Sequence, residues 1–220
     1  MLNVAVTLKR IAMLVAAAAL LAPAAAQAKI IEIGQSDTPV VPSCPRNCNA
    51  VSRTTGYQAK VGTNRGLMTV PQDGRIVAWT ITLSKPGPSQ VKFFQQNLGG
   101  ESQAGIAILR PAPKLFARTV SLSPIETLTS FFGQTVQFPL DRSLVVHKGD
   151  VIGLQVPTWA PALAVNQPGD TSWRAARSAD KCRDTQTQTA TKAGDNPQYR
   201  CLYRTARLAY SATLVTNPGT

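Results

Sequence analysis

Short stretches in which apolar and polar residues alternate strictly recur along this 220-residue chain, and that period of two constrains its fold more than any other feature. Alternation places every second side chain on one face, as in a strand with one buried side. In 76–83, Val77, Trp79, Ile81 and Leu83 share a face against Ala78, Thr80 and Thr82, which makes Trp79 a core residue. In 134–140 the shared face is Val136, Phe138 and Leu140. In 150–156, after the Lys148-Gly149-Asp150 turn, it is Ile152, Leu154 and Val156. In 207–215, Leu208, Tyr210, Ala212 and Leu214 oppose Arg207, Ser211 and Thr213. Further strands are expected at 55–61, 104–110, 116–122, 163–167 and 171–176. One segment departs from this pattern. Ser89 is a good N-cap, Val91, Phe94 and Leu98 form one helical stripe, and Gly99-Gly100 ends it, predicting a short helix over 90–98. Many short strands without a β-α-β rhythm predict an all-β fold. The expected form is a two-sheet antiparallel sandwich, jelly-roll-like, with one short helix; an immunoglobulin-like sandwich is the alternative.

The first residues read differently. Lys9 and Arg10 precede an apolar run from Ile11 to Ala26, closed by Ala26-Gln27-Ala28. A charged start, a short apolar middle and an A-x-A end are the parts of a cleavable secretory signal, assigned to residues 1–28. The run of 16 residues is shorter than the roughly 20 that span a bilayer. An extracellular or envelope-associated protein with no transmembrane segment after cleavage is therefore expected. Four cysteines, Cys44, Cys48, Cys182 and Cys201, then read as two disulfides, not as reactive thiols. Of three possible pairings, Cys44–Cys48 and Cys182–Cys201 are favoured, because each pair lies within one polar, turn-rich segment. The expected organisation is an N-terminal segment with a local disulfide over 29–54, one sandwich domain over 55–216, and a tail over 217–220. The polar stretch 184–196 reads as a surface loop.

No catalytic residue, metal or cofactor is assigned. His147 is the sole histidine and abuts the Lys148-Gly149-Asp150 turn. No G-x-S-x-G elbow is present, and Glu32, Glu101 and Glu126 are scattered singly, unlike the paired carboxylates of glycosidases. Asp170, Asp180, Asp184 and Asp195 match no calcium-loop spacing.

The positive indications are aromatic and basic. Trp159 lies between Pro157 and Pro161, where restricted backbone would hold its indole for stacking on a sugar; the alternative is a ring plugging the sandwich end. Trp173 precedes Arg174 and Arg177, with partial burial beneath the disulfide loop as its alternative. The formal net charge is +12, and removing Lys9 and Arg10 with the signal leaves +10. Cations gather toward the C-terminus at Arg174, Arg177, Lys181, Arg183, Lys192, Arg200, Arg204 and Arg207. A basic surface attracts anionic polymers, and in an exported protein these are wall polymers or extracellular glycans, with no nucleic acid expected. Trp159, Trp173, Arg174 and Arg177 are thus the candidate ligand-binding residues of a non-catalytic binding or surface module. An extracellular hydrolase with an unrecognised site and a structural or assembly protein are the alternatives.

Several stretches together carry a resemblance: Gly74-Arg75-Ile76-Val77-Ala78-Trp79, Ile108-Leu109-Arg110-Pro111, Lys148-Gly149-Asp150-Val151-Ile152-Gly153-Leu154, Val156-Pro157-Thr158-Trp159-Ala160-Pro161 and Tyr199-Arg200-Cys201-Leu202-Tyr203. From about Cys44 to the end, the chain resembles a group of secreted β-sandwich proteins of high-GC Gram-positive bacteria with no assigned activity. The resemblance implies the compartment and the sandwich, and carries over no functional residue.

Overall fold

The computed structural model describes residues 27–36 and 39–218. The signal assigned to 1–28 falls, apart from its last two residues, outside the described residues. In chain order the strands are β1 (Ile30–Ile33), β2 (Val51–Lys60), β3 (Gly74–Thr82), β4 (Gln103–Pro111), β5 (Ala117–Leu122), β6 (Glu126–Thr127), β7 (Thr135–Val146), β8 (Val151–Ala160), β9 (Leu163–Val165), β10 (Ser172–Ala175), β11 (Cys201–Arg204), β12 (Ala206–Leu208) and β13 (Tyr210–Thr216). Helix α1 spans Pro88–Asn97.

The smaller of the two main sheets has the order β1-β13-β3-β7, and the larger runs β11-β10-β2-β8-β4-β5 with β6 on β4, while β9 and β12 form a separate two-stranded sheet. Every pairing is antiparallel. With β6 and β9 to β12 set aside, the eight remaining strands fall in the orders first-eighth-third-sixth and second-seventh-fourth-fifth. That is the double Greek key of a jelly roll, so the jelly-roll expectation holds over the immunoglobulin-like one. β10 and β11 extend the larger sheet beyond β2.

Between the sheets lies one continuous apolar core containing Trp79, Ile81, Ile108, Ile152, Leu154 and Leu214, with Phe138 against Trp79 at a ring separation of 4.9 Å. The alternating segments supply it, with one change of phase. A bulge between Ile76 and Ala78 brings Ile76 fully into the core and leaves Val77 half-buried. Arg207, expected outside, is also buried.

The sandwich reaches into the segment 29–54 that the sequence sets apart. Ile30–Ile33 pair with β13 from Ile30↔Val215 to Ile33↔Ala212, and β2 starts at Val51. Both disulfides form as expected, Cys44–Cys48 and Cys182–Cys201. The helix starts earlier than expected. Gly87 is its N-cap, Pro88 takes the first turn, where a missing N–H costs nothing, and Gln90 Oε1 accepts from Gly87 N at 2.8 Å. Its end is as read: Gly99 and Gly100 have φ of +99° and +98°, and Gly100 N donates to Gln95 O at 3.0 Å. Among the described residues no helix is long and apolar enough to cross a membrane.

Candidate anion-binding site

The two tryptophans expected to form an exposed platform are both buried. Trp159 is 0% exposed and lies within β8, against Phe94 of α1 and the helix's C-cap Leu98. Phe94 and Phe132 contact its ring at 4.9 and 5.6 Å, and its Nε1 donates to Gly100 O at 2.8 Å. Pro157 does not break the strand to project the ring, because the ladder with β2 continues past it to Ser52↔Trp159 and Val51↔Ala160, ending just before Pro161. The ring is buried beneath α1, in an apolar cluster apart from the core between the sheets.

Trp173 is 3% exposed, because residues adjacent on a strand point to opposite faces. In β10, Trp173 turns inward and stacks on Tyr203 at 4.3 Å, while Arg174 turns outward. Arg177 is also 3% exposed and is spoken for. Its Nη2 donates to Ser52 O, its Nη1 to Tyr203 Oη at 3.3 Å, and its Cζ lies 5.8 Å from the Tyr203 ring centroid. Of the four sequence candidates, Arg174 is the one that lines the largest basic hollow, while Arg177 borders a smaller one with Arg200.

The polar stretch 184–196 is more than a surface loop. It runs as a strap over the outer face of the larger sheet, with Cys182 before it bridged to Cys201 after it and with Ala190 and Thr191 buried. Thr191 Oγ1 meets Thr55 Oγ1 at 2.9 Å and Thr119 Oγ1 at 3.0 Å, and its carbonyl accepts from Gln155 Nε2 at 3.0 Å. Backbone bonds from Gly194 N to Thr119 O and from Thr119 N to Asp195 O extend the ladder beyond β5. A polar sequence can be covered here because the sheet offers it polar partners.

Asp184 organises the start of the strap by accepting from Thr187 Oγ1 and from the amides of Thr187 and Gln186, both at 2.9 Å. These bonds, the Thr187 hydroxyl first, bring its carboxyl down to about 2. The folded value lies below the ordinary one near 3.9, so the turn is favoured above that value and its advantage is lost as pH falls through about 2. The amide nitrogen shifts of Gln186 and Thr187 are therefore expected to titrate together with a midpoint near 2, and a common midpoint near 4 would contradict the bonding.

Beside the strap, the outer face of β2, β10 and β11 carries a trough of about 460 Å³. Strand register builds it. Arg174 pairs with Tyr57 on one side and Leu202 on the other, and Ser172 pairs with Lys60 and Arg204 in the next row. A bulge between Ser172 and Trp173 brings Lys60 into that second row. Arg65 comes from the turn closed by Val61 and Asn64, whose amides and carbonyls exchange bonds of 2.9 and 3.0 Å. Asp170 enters from the turn made by the Thr171 N bond to Pro168 O.

Four cations thus line the trough with one carboxylate. Arg174 is pinned through Nη1, which donates to Tyr199 O at 3.1 Å and Arg200 O at 3.4 Å. Burial pushes the Tyr57 phenol above its ordinary value, partly opposed by the Arg174 charge, so Tyr57 remains a neutral hydrogen-bond donor at pH 7. Among the described residues, Lys60, Arg65, Arg174 and Arg204 are in neither of the two ion pairs, Arg110–Asp150 and His147–Asp73. Sequence reading named Arg204 only as part of a charge cluster. It missed Lys60 and Arg65, which pairing of distant segments alone brings to the same place.

His147 lies at the β7–β8 turn as read from the sequence. Its Nδ1 is 3.3 Å from Asp73 Oδ2, and Asp73 Oδ1 accepts from Lys148 N at 2.7 Å, which ties that hairpin to the loop before β3. Among the described residues, no three of His, Cys, Asp and Glu gather as metal ligands. Compared with protein-family models, curated proteins and solved structures, the chain matches none.

Proposed function

We propose that the protein is an exported, non-catalytic binding module whose trough holds an anionic polymer of the extracellular or envelope space. The observation that carries this reading is the grouping of Lys60, Arg65, Arg174 and Arg204 around one hollow with a single carboxylate, Asp170. Guanidinium groups suit carboxylate and phosphate oxygens, since their planar forks donate two parallel bonds. The signal pattern at 1–28 and the two disulfides support an oxidising location. The formal charge of +10 left once Lys9 and Arg10 go with the signal supplies long-range attraction to a polyanion. An acidic glycan suits the mixture of groups well. Asp170 and Tyr57 complement sugar hydroxyls, and the arginines complement its acid groups.

Retention on an immobilised uronic-acid polymer tests the reading. The Arg174→Gln/Arg204→Gln double variant is expected to bind roughly tenfold more weakly at low salt, with both proteins released as salt screens the contact. A Lys148→Gln variant, altered at a hairpin away from the trough, serves as the charge control. Equal loss in control and double variant would show that total charge, and not the trough, holds the polymer.

A further inference from the structure

A second hollow adjoins the trough on the same outer face. Leu109, Ala112, Phe116 and Val151 help to line a pocket of about 120 Å³, and Tyr57 and Leu115 line both this pocket and the trough. The two hollows share a wall, one charged and the other apolar.

That wall is set by unusual backbone. Lys114 and Leu115, at the turn between β4 and β5, have φ of +58° and +65°, a region that residues with side chains rarely enter. Surrounding bonds fix the turn there. Gln198 Nε2 donates to Lys114 O, Tyr199 N to Leu115 O at 2.8 Å, and Ala112 N to Phe116 O at 2.8 Å. The outcome is a leucine left 43% exposed where a basic hollow meets an apolar one. Left-handed backbone at both positions is what the tight β4–β5 hairpin turn requires, closed by Phe116 N to Pro113 O at 3.3 Å, and the hairpin holds Leu115 at that border.

We propose that trough and pocket are two halves of one site for an organic anion whose charged group is joined to a compact apolar group. The charged group sits among Lys60, Arg174 and Arg204, and the apolar group passes between Tyr57 and Leu115 into the pocket. A dry cavity of about 150 Å³ admits benzene. A pocket of about 120 Å³ therefore limits the apolar group to a single ring or a few branched carbons. This rests on reading the trough as an anion site and adds the second half of its ligand: the anionic units bound there carry a small apolar substituent.

Calorimetric titration of the oxidised, exported protein with inorganic phosphate, phenyl phosphate and phenol tests it. Phenyl phosphate is expected to bind about tenfold more tightly than phosphate, and phenol more weakly than either. In Ala112→Trp, which fills the pocket from an exposed position, the affinity ratio of the two phosphates falls toward one. Leu115→Asn, which keeps a residue tolerant of left-handed backbone, has the same effect. Near-UV circular dichroism checks that both variants fold. Equal binding of the two phosphates by wild type overturns the two-part site but leaves the trough reading standing. A ratio unchanged in both folded variants overturns it as well, and binding of neither anion removes both readings together.

Discussion

Trp159→Ala lowers the free energy of unfolding by about 3–5 kcal/mol, read as a lower urea midpoint at an unchanged slope. Two losses combine. The indole is fully buried between Phe94 and Phe132, so its removal opens a cavity that α1 and the segment around Phe132 must span. Gly100 O also loses its donor, just where Gly99 and Gly100 end the helix. Trp159→Phe retains most of the apolar volume and loses the hydrogen bond, so it is expected to cost only about 1–2 kcal/mol. A Trp159→Ala protein as stable as wild type would mean that the ring does not anchor α1 to β8 as described above.

Breaking the Cys182–Cys201 bridge, through a Cys182→Ser/Cys201→Ser variant, costs about 3 kcal/mol in the chain-entropy model. The bridge spans 19 residues and holds the ends of the strap together, whereas Cys44–Cys48 spans only 4. The second bridge is therefore worth less, about 2 kcal/mol on the same model. Amide exchange at Thr119 and Gly194, whose bonds join strap to sheet, is expected to rise in the first variant and stay unchanged in a Cys44→Ser/Cys48→Ser variant. Equal unfolding midpoints for the two double variants would show that the strap does not depend on its covalent tie.

Much of the fold was legible because its strands obey a period of two. Ile152, Leu154 and Val156, and Leu208, Tyr210, Ala212 and Leu214, lie in the core as their alternation requires. Misreadings fall where the period slips or is too short to register. The bulge after Ile76 exchanges Val77 for Ile76, and β1 has only four residues, three of them isoleucine. For the site, the period of two carried information that was overlooked. A strand over 171–176 cannot present Trp173 and Arg174 on one face, so they could not form one platform. The opposite faces of β10 instead give one residue to the core and the other to the trough. Arg177 is different, because a buried arginine bonded to Ser52 O and Tyr203 Oη leaves no mark in local sequence. Lys60 and Arg65 join Arg174 only through β2–β10 pairing, which composition does not encode.

The position of β13 bears on how the smaller sheet is completed. This last strand lies between β1 and β3, and its end is tied to the start of the described chain by Lys29 N to Thr216 Oγ1 and Thr216 N to Lys29 O, both at 2.9 Å. The smaller sheet therefore cannot close until residues 210–216 are present to bridge β1 and β3. A truncation before Tyr210 removes the strand that joins β1 to β3, so the smaller sheet loses its centre.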